Sequence, residues 1–87
     1  MSKARKLEDR LELVGQVLIG SQWALATRSS LEAVLKPGYF ATKHPDRGLR
    51  KGDRVFVVCD FDADEPTFAE LAVISAGAKG AAVVRKI

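Results

Sequence analysis

Leu35–Asp60, LKPGYFATKHPDRGLRKGDRVFVVCD, decides how the rest of the chain is read. It opens on a Pro37-Gly38 turn and the aromatic pair Tyr39-Phe40, runs through a polar loop broken by Pro45, and reaches Leu49-Arg50-Lys51-Gly52-Asp53. Gly52-Asp53 suits a tight turn, because glycine accepts positive φ and an aspartate can bond nearby backbone N–H groups. Val55-Phe56-Val57-Val58 is β-branched or aromatic throughout and fits a pleated, buried surface. The stretch predicts a strand over Val55–Cys59 that enters a core, with Tyr39-Phe40 anchoring the loop that leads into it.

Downstream, Phe68–Ser75 and Ala81–Ile87 are the next two strand candidates, joined by Gly77-Ala-Lys-Gly80 as a hairpin connection. Upstream, Ser29-Ser30 before Leu31-Glu-Ala-Val-Leu-Lys36 predicts an N-capped short helix, stopped by Pro37-Gly38. Ala41–Arg50 reads as a loop. Val14–Gly20 and Trp23–Thr27 read as extended, since Gly15 and Gly20 weaken any helix there. At the amino end, Leu7, Leu11, Val14 and Leu18 have helical spacing, yet the region is also basic and terminal, as an extended docking arm would be. Both readings stay open. The expected organisation is a basic arm or short helix over residues 1–12 and one small β-rich domain over 13–87. Its expected fold is mainly β, a compact barrel or sandwich-like domain with one short helix at about residues 30–36.

Eighty-seven residues, 47% hydrophobic and 29% charged, make one globular domain near the lower size limit for folding alone. A core that small gains from association, so an oligomer or a docked subunit is expected. The lone Cys59 cannot form an internal disulfide and reads as a buried small hydrophobe; one Cys and one His exclude a zinc cluster. The apolar run Val14–Gly20 is too short to span a membrane and lacks a signal-peptide cleavage pattern, so neither membrane nor secretion is expected. The net charge of +3 is unevenly placed. Residues 28–54 carry seven basic side chains against three acidic ones, and residues 60–70 carry five acidic and no basic ones. That polarity suits head-to-tail packing of copies as well as a nucleic-acid footprint.

Catalytic and metal motifs fail on inspection. Asp60-Phe-Asp-Ala-Asp64 begins like a calcium loop, but Glu65 stands where the turn glycine belongs and Leu71 where the bidentate glutamate belongs. The same residues resemble the aspartate nucleophile of haloacid-dehalogenase-type phosphatases, which need a large doubly wound sheet that the 27 residues after Asp60 cannot supply. Gly77-Ala-Lys-Gly80 resembles the clamp loop of KH domains, but a strand-like segment follows it in place of a helix. His44 reads as a solvated loop residue, and no nucleophile–base pair is visible. No catalytic residue, metal ligand or cofactor is assigned.

Trp23 with Thr27-Arg28-Ser29, the short helix, Pro37-Gly38-Tyr39-Phe40 and Leu49-Arg-Lys-Gly-Asp53 with its hydrophobic strand together resemble a group of small virion proteins of tailed phages. Those proteins carry a GYF…LxxGDxV signature, and the likeness covers roughly Gly20–Ile87. Ala41 departs from the small polar residue usual after the aromatic pair, and Met1–Arg10 matches no shared motif. The resemblance implies a non-enzymatic capsid-associated structural protein, a cement, decoration or head-fibre-base subunit made in the bacterial cytoplasm and used in the virion. Its implied partners are the major capsid protein or other virion proteins and further copies of itself, a trimer being favoured. Trp23, Tyr39 and Phe40 are the expected aromatic anchors, with a core role as the alternative for all three and the favoured one for Phe40. Arg47, Arg50 and Lys51 are the expected complement to an acidic neighbour, and Pro37, Gly38, Gly52 and Asp53 the turn residues. The alternative is a small basic β-barrel that binds nucleic acid through Lys43–Arg54, against which the acidic block at 60–70 counts.

Overall fold

The apolar, β-branched runs of the chain pair into one sheet. The computed structural model describes residues 9–16, 20–44, 47–77 and 82–87. In it, β1 (Arg10–Gln16), β2 (Ser21–Ala26), β3 (Arg54–Cys59), β4 (Thr67–Ala76) and β5 (Ala82–Lys86) lie side by side in sequence order. All neighbours are antiparallel except β2 and β3, which are parallel. A parallel pair needs a crossover of a dozen residues or more. Residues 27–53 supply it and carry two short helices, α1 (Leu31–Val34) and α2 (Tyr39–Lys43).

The crossover covers one face of the sheet. Leu11, Trp23, Leu25, Val55, Val57 and Cys59 face it from the first three strands, and Leu71, Val73, Ala82 and Val84 from the last two. Val34, Tyr39, Phe40 and Leu49 come down from the crossover to close the core, with Leu31 and Leu35 packed at its margin. Val34, Phe40, Val55, Val57, Cys59 and Leu71 have at most 1% of their surface exposed.

The mainly β expectation holds, with β2 to β5 close to the strands read from the sequence, and the helix near residue 31 forms with Ser30 as its cap; of the expected extended segment Val14–Gly20, residues 17–19 lie outside the described residues. The Ser30 Oγ accepts from the Ala33 N–H at 3.1 Å. Three expectations are corrected. The sheet is single and open: among the described residues β1 and β5 are unpaired edges, so there is neither a closed barrel nor a second sheet. Residues 41–43, the start of the expected loop Ala41–Arg50, are helical as the end of α2, because Gly38 (φ 89°) turns the chain and α2 then buries Tyr39 and Phe40. Finally, Arg10–Gln16 is a strand. Pairing with β2 excludes a helix there, and buried Leu11 moves the start of the domain inside the expected arm. Residues 1–8, residues 78–80 of the expected glycine turn and residue 81 of the expected strand after it lie outside the described residues, although β4 and β5 do pair as a hairpin would.

Candidate interaction surface

The residues singled out from the sequence divide into a buried group and an exposed group. Trp23, Tyr39 and Phe40 are 6%, 8% and 1% exposed, so as anchors for a partner they are corrected: this chain's own core consumes them. Trp23 does more than fill space. Its Nε1–H donates to Asp53 Oδ2 at 2.9 Å, and the same carboxylate accepts from the Ser21 N–H at 2.9 Å and the Arg50 N–H at 3.0 Å. Asp53 is only 3% exposed, and a buried carboxylate is tolerated when such donors satisfy it. Gly52 and Asp53 also exchange backbone bonds with Val73 of β4. The turn therefore ties the start of β3 to both neighbouring strands. Gly20 (φ 79°) completes the fit, since a Cβ there would lie 2.6 Å from Asp53 Oδ1 and 2.7 Å from the Gly52 oxygen.

A second polar knot closes the opposite end of β2. Thr27, fully buried, donates its Oγ1–H to Asp9 at 2.7 Å and accepts from Tyr39 Oη–H and the Ser29 N–H, both at 3.0 Å. Burial pushes the Tyr39 phenol above its usual range, against the lowering effect of its bonds with Thr27 and Ser29. Burial likewise raises the Cys59 thiol to about 11, with the charge of Asp60 adding to it. His44 packs against Tyr39 and Phe40, with ring centroids 6.0 and 6.2 Å away. Burial holds its imidazole below the ordinary value; Asp9 opposes that shift, while Arg47 and Lys43 reinforce it.

Of the basic side chains, Arg47 is committed: its guanidinium donates to the Leu11 carbonyl at 2.6 Å and steadies edge strand β1. Arg50 and Lys51 are exposed in the turn just before β3. Asp62, Asp64 and Glu65 are exposed in the loop just after it. The expected charge polarity thus runs along β3, about 20 Å at the rise of an extended strand.

The sheet face away from the helices was not singled out from the sequence. Phe56 and Phe68, 41% and 63% exposed, stack there across β3 and β4 with centroids 6.2 Å apart and planes 17° apart. Ile74 and Val83, 38% and 40% exposed, extend the apolar surface towards the other end of the sheet. Between β1 and β3 lies a shallow depression floored by Ala24 and Ala26 and walled by Arg10, Glu12, Phe56 and Val58. Strand register arranges the polar residues of this face in rows. Glu12, Ala24, Phe56 and Glu70 lie in one row; Gln22, Arg54, Ala72 and Arg85 lie in the next. Gln22 Nε2 reaches across to Glu70 at 3.3 Å, and Arg10 is paired with Glu12 at 2.6 Å.

A signal for this face was present in the run Val55-Phe-Val-Val58. It does not alternate, and a strand whose residues are apolar on both sides is one that expects cover on both sides. Among the described residues no helix is long and apolar enough to cross a membrane. Comparison with protein-family models, with curated proteins and with solved structures finds no match for this chain.

Proposed function

We propose that the chain is a non-enzymatic structural protein of a tailed-phage particle, a cement, decoration or head-fibre-base subunit that works by binding its neighbours. The observation that carries the binding role is the uncovered apolar sheet face centred on Phe56 and Phe68. Contiguous exposed apolar surface of this kind marks contact sites rather than solvated surface. The particle assignment rests on the GYF…LxxGDxV residues. Their roles in the fold support it: Gly38 turns the chain into α2, Tyr39 and Phe40 cover the sheet, and Gly52-Asp53 locks β3 to Trp23. The proposed partners are the major capsid protein or another virion protein, together with further copies of this chain.

The test is co-sedimentation of the purified chain with capsid shells lacking it, at low and high salt. Retention on the shell at high salt supports the reading. Failure to bind any shell, at any salt, removes it.

A second reading, nucleic-acid binding, has one observation in its favour. Two exposed aromatic rings lie beside Arg54 and Arg85 on an open sheet, an arrangement on which bases can stack. Glu12 and Glu70 stand on the same face and oppose a polyanion. Titration with single-stranded DNA separates the two readings, because phosphate binding falls steeply as salt rises.

A further inference from the structure

We infer that the open sheet face is covered by the same face of a second copy, related by a two-fold axis that runs across the strands. This deepens the binding role proposed above and rests on the open face being a contact surface, but not on the particle assignment.

The register of the sheet carries the inference. The row holding Glu12 and Glu70 is adjacent to the row holding Arg54 and Arg85. An axis lying between these two rows, parallel to them, places the acidic row of each copy over the basic row of the other. The same operation brings the next row out, which holds Val58 and Phe68, over the level of Ile74 and Val83, so apolar meets apolar. It also reverses the strand direction. The Arg50–Lys51 end of each copy then lies toward the Asp62–Glu65 end of the other, which sets two exposed cations toward an exposed acidic loop. Three separate features of one surface are thus complementary to themselves under a single operation, as an isologous interface requires.

The dimensions agree. At about 4.8 Å between strands and about 6.7 Å between successive residues on one face, five strands by four rows cover roughly 24 by roughly 27 Å. That footprint of about 650 Å², before side-chain relief is counted, approaches the roughly 800 Å² per partner of a stable interface. Face-to-face packing of two sheets is a common way to bury such a face, with side chains of the two inner faces interdigitating. The charges also separate this occupant from others. The face carries Arg10, Arg54 and Arg85 against Glu12 and Glu70, a near balance that suits a copy of itself and disfavours a polyanion.

Light scattering on the purified wild-type chain tests the state directly. Twice the 9.4 kDa chain mass, about 19 kDa, is expected at micromolar concentration. A mass of one chain or of three overturns the pairing. Charge exchange tests the axis. One variant has Glu12→Arg with Glu70→Arg, the other Arg54→Glu with Arg85→Glu. Each alone is expected at the mass of one chain, with native near-ultraviolet dichroism from Trp23, and an equimolar mixture is expected to restore the double mass. Variants that stay paired alone, or a mixture that stays unpaired, overturn the arrangement. Should a variant lose its Trp23 signal, oxidation of a Phe68→Cys, Ile74→Cys double variant replaces it, and absence of a cross-linked dimer counts against the axis. A wild-type dimer that ignores capsid shells leaves the pairing standing and removes only the particle role. A single chain that binds shells does the reverse.

Discussion

Replacing Asp53 with alanine removes the acceptor for three donors at once: the Trp23 indole, the Ser21 N–H and the Arg50 N–H, at 2.9, 2.9 and 3.0 Å. A hydrogen bond to a charged group contributes about 1.5–3 kcal/mol net, and a buried donor left alone costs about 1–3 kcal/mol. The three do not simply add, since the carboxylate no longer has to be taken out of water and a water molecule can enter the space for the two backbone donors. The buried indole N–H is the donor worst placed for such replacement. The expected loss is about 3–4 kcal/mol, against a total of about 4–13 kcal/mol for a chain of this length. Trp23→Phe keeps a ring in the core and deletes one donor, with an expected loss of about 1–2 kcal/mol. In the Asp53→Ala background the same change removes an orphaned donor and costs less, which gives a coupling of about 1.5 kcal/mol in the double-mutant cycle. Urea denaturation followed by far-ultraviolet dichroism measures all four proteins, including those without tryptophan. A loss below about 1 kcal/mol for Asp53→Ala, or additivity within about 0.5 kcal/mol, would refute the claim that this carboxylate holds β3 to β2.

Gly20→Ala forces an L-residue to φ 79° and a Cβ into the Gly52 carbonyl, so denaturation is expected to show a loss of more than about 2 kcal/mol. Across the faces of one strand, Leu71→Ala is expected to cost about 2–5 kcal/mol, while Ile74→Ala on the open face costs about 1 kcal/mol or less at concentrations low enough to hold single chains. Cys59 has its ordinary value of 9.0 unfolded and about 11 folded, so the folded state keeps a proton that the unfolded state sheds; stability is full below pH 9 and falls as pH rises towards 11. The Tyr39 phenol shifts the same way, and Cys59→Ala is expected to flatten the slope between pH 9 and 11 in part. His44 is shifted down, so the unfolded chain takes up a proton first as pH falls below 6.5; stability drops there, and His44→Gln is expected to reduce that slope in melts between pH 7 and 5.

Local chemistry made much of the fold legible. Ser30 before Leu31 is a capping signal complete within four residues, and Val55–Cys59 announces a strand by composition alone. What escaped was set by distant contacts. Tyr39–Lys43 has unexceptional helix propensity and stands between two prolines. It is helical because burying Tyr39 and Phe40 against the sheet outweighs that weak local preference, as tertiary packing often does. Asp53 was readable as a turn residue, but its bond to Trp23, 30 positions away, follows from the parallel placement of β2 beside β3. The candidate surface escaped for a related reason. Aromatic type drew attention to Trp23, Tyr39 and Phe40, whereas Phe56 and Phe68 become prominent only once the crossover has chosen which face to cover.

That choice has a consequence for what completes the molecule. Helices packed on both faces would account for the apolar run at Val55–Val58 within a single chain, as in all-parallel sheets. Among the described residues the helices lie in one connection, the β2-to-β3 crossover; the other strand pairs are antiparallel neighbours. The topology therefore supplies one layer of cover for a central strand whose sequence calls for two. The Phe56–Phe68 stack reduces the exposed ring area but leaves the face open to water. Mutating that face to polar residues in solution and mutating the Asp53 turn address different requirements. The turn fixes the fold within one chain, and the face decides what the fold is fastened to.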